Sequence, residues 1–231
     1  VRSARTYYID WLVEYDAFFA HAGGAQNALT KIVKDNIKDL PHNQTAYWRE
    51  TGKVALEHTL YTSTVKLYQY AENQGYDTKV SSFRPWIFKR ELATATQSVA
   101  GIKATVNFSS AEYQVVWSYN SASNSYDRSL ASGAHKDAST GSQLSATNVL
   151  MLTMPRSSVE SAGKAIYSME TTGSGKATLL QDGRKIEGKW QKAKSIDRTV
   201  VFDSAGKEVS FNPGQTWIEI INPDAVTVTV Q

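Results

Sequence analysis

Cysteine is missing from all 231 residues, which excludes disulfides, thiolate metal sites and cysteine nucleophiles together. Long apolar runs are missing too: none approaches the roughly 18 residues that cross a bilayer as a helix. The opening Val1-Arg2-Ser3-Ala4-Arg5 is not a signal peptide. No excess of one charge marks either half. Residues 1–94 hold 12 basic and 10 acidic groups, which leaves 13 and 12 of the 25 and 22 for the remainder. A nucleic-acid partner calls for lysine and arginine gathered on one element, so this even spread argues against one, while a small anion pocket stays compatible with it. Internal repeats and low-complexity tracts are absent, as is the Gly-x-Ser-x-Gly elbow of serine nucleophiles.

What is present has globular proportions: 41% hydrophobic, 11% aromatic and 20% charged residues. Ile9, Trp11, Leu12, Val13 and Tyr15, set among Asp10, Glu14 and Asp16, give Thr6–Tyr15 helical amphipathicity. Ala17–Ala22 reads as a strand, Gly23-Gly24 as a turn and Ala25–Val33 as a helix with Leu29, Ile32 and Val33 at helical spacing. Residues 36–57, broken by Pro41, read as a long excursion with one helical turn near Tyr47-Trp48-Arg49. Thr62 or Ser63 can cap a helix over 63–74, and Gly75 can end it.

From Ile102 the period changes to two. Ile102–Phe108 and Tyr113–Tyr119 alternate as strands, and the polar stretch 118–141 reads as loop with at most one strand near Tyr126. Asp182-Gly183 between Thr178–Gln181 and Arg184–Glu187 supplies the positive φ angles of a two-residue hairpin. Strands over 199–203, 208–211, 217–221 and 226–230, separated by Ser-Ala-Gly and Asn-Pro turns, suggest a meander. The fold class expected is α+β. A mixed helical part spans 1–94, and a β-rich, mainly antiparallel part spans 95–231, joined across about Phe88–Ala100 with few contacts from the first helices beyond Ile102.

Several phrases can be set beside a known family: Arg2-Ser3-Ala4-Arg5, His21-Ala22-Gly23-Gly24, Leu60-Tyr61-Thr62-Ser63-Thr64 and Asn212-Pro213-Gly214-Gln215-Thr216-Trp217. Gln143-Leu144, Asn148-Val149 and Asp182-Gly183 with Gly188-Lys189-Trp190 follow in the same order. Together they resemble the YerB-like bacterial lipoproteins, a domain-of-unknown-function family, over nearly the whole chain. Where typical members carry Pro-His-Asn before Leu-Tyr-Thr-Ser-Thr, this chain has Glu57-His58-Thr59, so only the histidine carries over. The resemblance implies an extracytoplasmic envelope protein with two subdomains. It also implies a lipid anchor and a further segment upstream of the Arg-Ser-Ala-Arg phrase. With that segment absent from this sequence, an open edge or apolar face is expected beside Phe18-Phe19.

A strand-Gly-Gly-helix junction presents unpaired amides and partial positive charge, so His21, Gly23 and Gly24 are candidate anion-binding residues, with Arg2 and Arg5 close in sequence to fork onto a carboxylate or phosphate. The alternative is a tight turn beside surface arginines. His58, just before the capped helix, either reaches His21 for acid-base work with Asp10 or is a separate structural histidine. The candidate ligand-binding set is therefore Arg2, Arg5, His21, Gly23, Gly24 and His58, expected to line one concavity. No cofactor and no metal site are expected, since His135-Lys136-Asp137 offers two ligands with no third nearby. Trp and Tyr faces suit sugar rings, although Trp190 and Trp217 fall in strand patterns and read as core. The expected function is a binding module for an anionic or cell-wall-derived ligand or a membrane-protein partner. The alternative is a hydrolase or transferase acting on a phosphorylated or cell-wall substrate, so whether a reaction is catalysed stays open.

Overall fold

The structure, a computed structural model, describes residues 1–52, 54–80, 83–90, 101–224 and 226–231. In chain order its elements begin with α1 (Thr6–Leu12), β1 (Phe19–His21), α2 (Gln26–Lys34), β2 (Asp39–Pro41), β3 (Tyr47–Arg49), β4 (Leu60–Thr62) and α3 (Thr64–Asn73). Strands follow: β5 (Ile87–Phe88), β6 (Lys103–Asn107), β7 (Gln114–Asn120), β8 (Ser125–Leu130), β9 (Gly133–Ala134), β10 (Ser145–Ala146) and β11 (Asn148–Thr153). The remainder are β12 (Arg156–Ser161), β13 (Lys164–Met169), β14 (Gly173–Gln181), β15 (Arg184–Lys192), β16 (Val200–Asp203), β17 (Ser210–Phe211), β18 (Thr216–Ile221) and β19 (Thr227–Val230). The chain is therefore mostly β, and its helical share is smaller than expected: α1 stops at Leu12 and tightens into a single 3₁₀ turn over Val13–Tyr15.

Contacts divide the chain into two compact units. The first takes 1–84, 156–172 and 193–198, and the second takes 85–155, 173–192 and 199–231. The division expected between 94 and 95 falls within 91–100, outside the described residues. The helices do not keep to the first part as expected. Thr171 donates to Asp10 of α1 at 2.8 Å, the Ser161 hydroxyl accepts from the Asn27 amide at 3.1 Å, and Arg198 pairs with Glu14 at 3.1 Å.

In the first unit α1 and α2 enclose Ala4, Ile9, Ala28, Ile32 and Ile37. Ala25, Ala28, Leu29 and Ile32 fall on one helical face at i, i+3, i+4 and i+7, which is why this segment is a helix and why that face is the buried one. β1 pairs in parallel with β2, and the Asn36–Glu57 excursion contains strands where a helical turn was expected, because Tyr47–Arg49 pairs antiparallel with Leu60–Thr62. Pairing over this distance leaves no local period to read. Of the open edge or apolar face expected beside Phe18-Phe19, the face is partly covered, with Phe18 against Tyr68 and Tyr76 and Phe19 stacked on His21, while among the described residues β2 is the only strand partner of β1 in its sheet. The α3 cap is as expected, with Ser63 Oγ accepting from the Lys66 amide and Gly75 at φ +73°.

In the second unit one sheet runs β10-β8-β7-β6-β19, with β9 on β8, and another runs β16-β15-β14-β11-β18. Alternate residues of the first (Ala104, Val106, Val115, Trp117, Tyr126) pack on Val149, Met151, Leu180 and Ile221 of the second. Fully burying an aliphatic or aromatic side chain of this kind contributes about 1.5–3 kcal/mol, so this inter-sheet core is the unit's main source of stability. The expected meander is corrected. β16 joins β15, β17 pairs in parallel with β5, β18 pairs in parallel with β11, and β19 belongs to the other sheet. The Asn-Pro loops are long enough to carry each strand to a non-sequential neighbour.

The β14–β15 hairpin turns at Asp182-Gly183 with φ +52° and +67°, as its dipeptide requires, and pairs Leu179 with Ile186. Asp182 is also a hub: its carboxylate accepts from Lys89, from Asn124 at 2.9 Å and from Asn212 at 2.7 Å. Burial raises its pKa, but these three donors outweigh burial and hold it below the usual carboxylate range. Asn148, fully buried, accepts from Gln181 and the Asn212 amide and so extends the network into the core.

Two outcomes follow for stability. Asp182→Ala leaves donors from three segments without their acceptor, and urea unfolding should show a loss of about 2 kcal/mol, discounted for partial exposure. Because the folded pKa is depressed, the ionised carboxylate's contribution is present above the ordinary value near 4 and is lost as pH falls through the lowered one; Asp182→Ala should therefore flatten acid unfolding there. Glu14→Ala removes the carboxylate paired with the buried Arg198 guanidinium, and the first unit should lose about 3 kcal/mol in the same measurement.

Candidate functional site

The chain's first residues lie alongside the Gly-Gly turn. The Ala22 amide donates to the Arg2 carbonyl at 3.0 Å, the Ala4 amide to Gly23 at 2.9 Å, and the Ala25 amide to Ala4 at 3.2 Å. A Cβ on Gly24 would sit 2.7 Å from the Ala4 Cβ, so only glycine admits this approach, while Gly23 supplies a positive φ of 60°. These two glycines build the scaffold. Two of the amides that follow Gly23 are committed inside the fold, Ala25 to Ala4 and Asn27 to Ser161.

His21 is likewise spent internally. It is 3% exposed, with Nδ1 2.8 Å from the Gly23 carbonyl oxygen and Nε2 2.9 Å from Asp39 Oδ1. Both neighbours are acceptors, so both nitrogens are satisfied only when the ring is doubly protonated. Burial alone would lower the His21 pKa; the hydrogen bonds to Asp39 and Gly23 and the Asp39 charge overcome it and leave the pKa raised. Arg2 and His58 are brought together at 3.0 Å on the exposed surface, from segments 56 residues apart. The His21 nitrogens face Gly23 and Asp39 instead.

Arg5 goes elsewhere. Its guanidinium donates to the Ala4 carbonyl at 2.8 Å and borders a cleft of about 320 Å³ whose other walls are Tyr7 of α1 and Ser158, Ala165, Ile166 and Tyr167 of the β12–β13 hairpin. Arg156 lies 3.9 Å from the Tyr167 ring centroid, and Tyr167 remains 52% exposed, so the hairpin presents an accessible ring beside a second guanidinium. Burial and Tyr8 raise the Tyr7 phenol's pKa while both Arg5 and Arg156 pull it down, which places the two cations within electrostatic reach of one hydroxyl.

Sequence reading missed Tyr7, Arg156, Ser158 and Tyr167. The one available signal was the alternation of 164–169 after Ala162-Gly163, a two-residue turn at φ +50° and +75°. Alanine there hides the hairpin, because asparagine or aspartate is the usual residue at that angle. The His135 loop is closed by hydrogen bonds. Asp137 Oδ1 accepts from Ser139 and Thr140, which hold its carboxyl at about 2, and His135 contacts Arg128. Among the described residues no group of three or more His, Asp or Glu is placed to hold a metal ion. Trp190 is core, and Trp217 is half-buried against the inter-sheet cluster.

Residues 1–77 match the N-terminal domain, and residues 104–218 the C-terminal domain, of the family described as protein of unknown function (DUF3048). The chain belongs to this family, as the resemblance to YerB-like proteins indicated. It is 27% identical over 227 residues to the Bacillus subtilis (strain 168) protein named "Putative lipoprotein YerB", covering 97% of this chain and 66% of that protein. The chain thus spans about two thirds of that relative's length. Its fold is similar to the crystal structure of YerB from Bacillus subtilis, with a TM-score of 0.83 at 24% identity over 99% of this chain and 76% of that one.

The His21 geometry sets a pH dependence. A raised folded pKa means that the stabilisation is fully present below the unfolded value of about 6.5 and is lost as pH rises through the folded value. The urea midpoint of the first unit should therefore fall as pH is raised above about 6.5, and His21→Gln should abolish that slope.

Proposed function

We propose that the chain is the outward-facing part of an envelope lipoprotein and that its first unit is a binding module for an anionic glycan of cell-wall type. The location rests on the relative's name. The ligand class rests on one observation, the cleft in which Arg5 and the Tyr7 and Tyr167 rings meet beside the Ser158 hydroxyl. Guanidinium forks onto carboxylate or phosphate, aromatic faces cover the apolar sides of sugar rings, and a hydroxyl serves either role in a hydrogen bond. Few other ligands use all three groups. The hydrolase or transferase reading needs His21 and His58 turned toward one substrate, whereas His21 is enclosed between two acceptors and His58 is paired with Arg2.

Calorimetry of the chain with soluble disaccharide-peptide wall fragments should show saturable binding without product release. Arg5→Ala should weaken it about tenfold, as the loss of a charge-assisted hydrogen bond does, and Tyr167→Ala should weaken it several-fold. Turnover of the fragments, or equal affinity in both variants, would overturn the reading.

A further inference from the structure

The inner face of the second unit's β16-β15-β14-β11-β18 sheet extends past the side chains that cover it, leaving a slot of about 270 Å³ beneath β19. Val226, Val228 and Val230 form one wall. Across the floor the residues change in strand order. Ile221 on β18 and Met151 on β11 are apolar, with Thr153 beside them on β11, Thr178 on β14 follows, and Lys176, Lys185 and Glu187 end the slot on β14 and β15. The registers fix this gradient, since Met151 pairs with Thr178 and Thr178 with Glu187.

The slot is therefore apolar at one end and charged at the other, and its charge is unbalanced. Lys185 and Lys176 lie 3.0 and 3.8 Å from the single Glu187 carboxylate, which leaves one ammonium in excess at the mouth. No aromatic ring is among the lining residues, so the lining offers aliphatic contact to a flexible chain rather than a stacking platform. Three interstrand spacings from β18 to β15 give a floor about 14 Å long. At roughly 1.3 Å per bond of an extended chain, that accommodates about ten to eleven bonds.

We propose that this slot binds a single-chain anionic amphiphile, with its acyl tail between β19 and the sheet and its head group at Lys176 and Lys185. Complementarity of charge selects the sign of the head, and the aliphatic floor selects the tail. This site lies wholly within the second unit and is independent of the glycan reading.

The test is calorimetry of the intact chain with octanoate, decanoate and dodecanoate below their micellar concentrations, with dodecyltrimethylammonium as the cationic control. One-to-one binding is expected, with the dissociation constant falling about fourfold for each added methylene up to dodecanoate. The cationic amphiphile should bind at least tenfold more weakly. Lys185→Glu, a change at the solvent-exposed mouth of the slot, should weaken dodecanoate by at least tenfold. Chain-length independence, equal binding of the cationic amphiphile, or unchanged affinity in Lys185→Glu would each overturn the proposal.

Discussion

The first unit depends on the backbone pairing of Arg2–Ala4 along Ala22–Gly24, and that pairing depends on a missing side chain. With 2.7 Å between the Ala4 Cβ and the position a Gly24 Cβ would take, any larger residue would force the two segments apart. Their contact seals Ala4 into the helical core and carries the chain into α1 with Arg5 at the hairpin cleft. The Gly23 carbonyl that accepts the Ala4 amide also faces His21 Nδ1, so the same turn fixes the histidine. One constraint thus organises most of the residues that looked functional in the sequence. It assigns His21, Gly23 and Gly24 to scaffold and Arg5 to surface chemistry.

A histidine held between a carbonyl and a carboxylate is stabilised in its charged form and has no lone pair to offer a substrate. That geometry makes His21 a stabilising element whose contribution fades as pH rises. The proposed binding surface of the first unit uses instead the groups that line the hairpin cleft: the Arg5 guanidinium, the tyrosine rings and the Ser158 hydroxyl. In the second unit polar chemistry is structural at Asp182, where three donors converge, and the slot proposed for an amphiphile lies where charged side chains border an apolar stretch of the inner sheet face.

Local signals were legible in the sequence and long-range ones were not. Asp182-Gly183 named its hairpin because positive φ at two successive residues restricts the choice of side chains, and Ser63 with Gly75 bracketed α3 through its caps. β11 carried no such signal: Asn148–Leu152 is buried on both faces, so its apolar residues run continuously instead of alternating. The Tyr47–Arg49 strand and the distribution of the last strands over several sheets depend on partners tens of residues away. At the candidate site, Arg5 was readable because it precedes the helix that leads into the strand before the Gly23-Gly24 turn. Tyr7, Arg156 and Tyr167 were not, since only tertiary pairing brings residues 156–167 to α1. Arg2, Arg5, His21 and His58 were expected to share one concavity because arginines, a glycine turn and a helix start each supply positive potential; Arg2 bonds His58, His21 bonds Gly23 and Asp39, and Arg5 lines the hairpin cleft.

The division of labour between His21 as scaffold and Arg5 with Tyr7 and Tyr167 as binding surface is tested most directly by nuclear magnetic resonance of the intact chain titrated with a disaccharide-peptide wall fragment. The account predicts shifts centred on Arg5, Tyr7, Ser158 and Tyr167, with the His21 ring unmoved throughout. Shifts centred on the His21 and His58 rings, with Tyr167 silent, would contradict it.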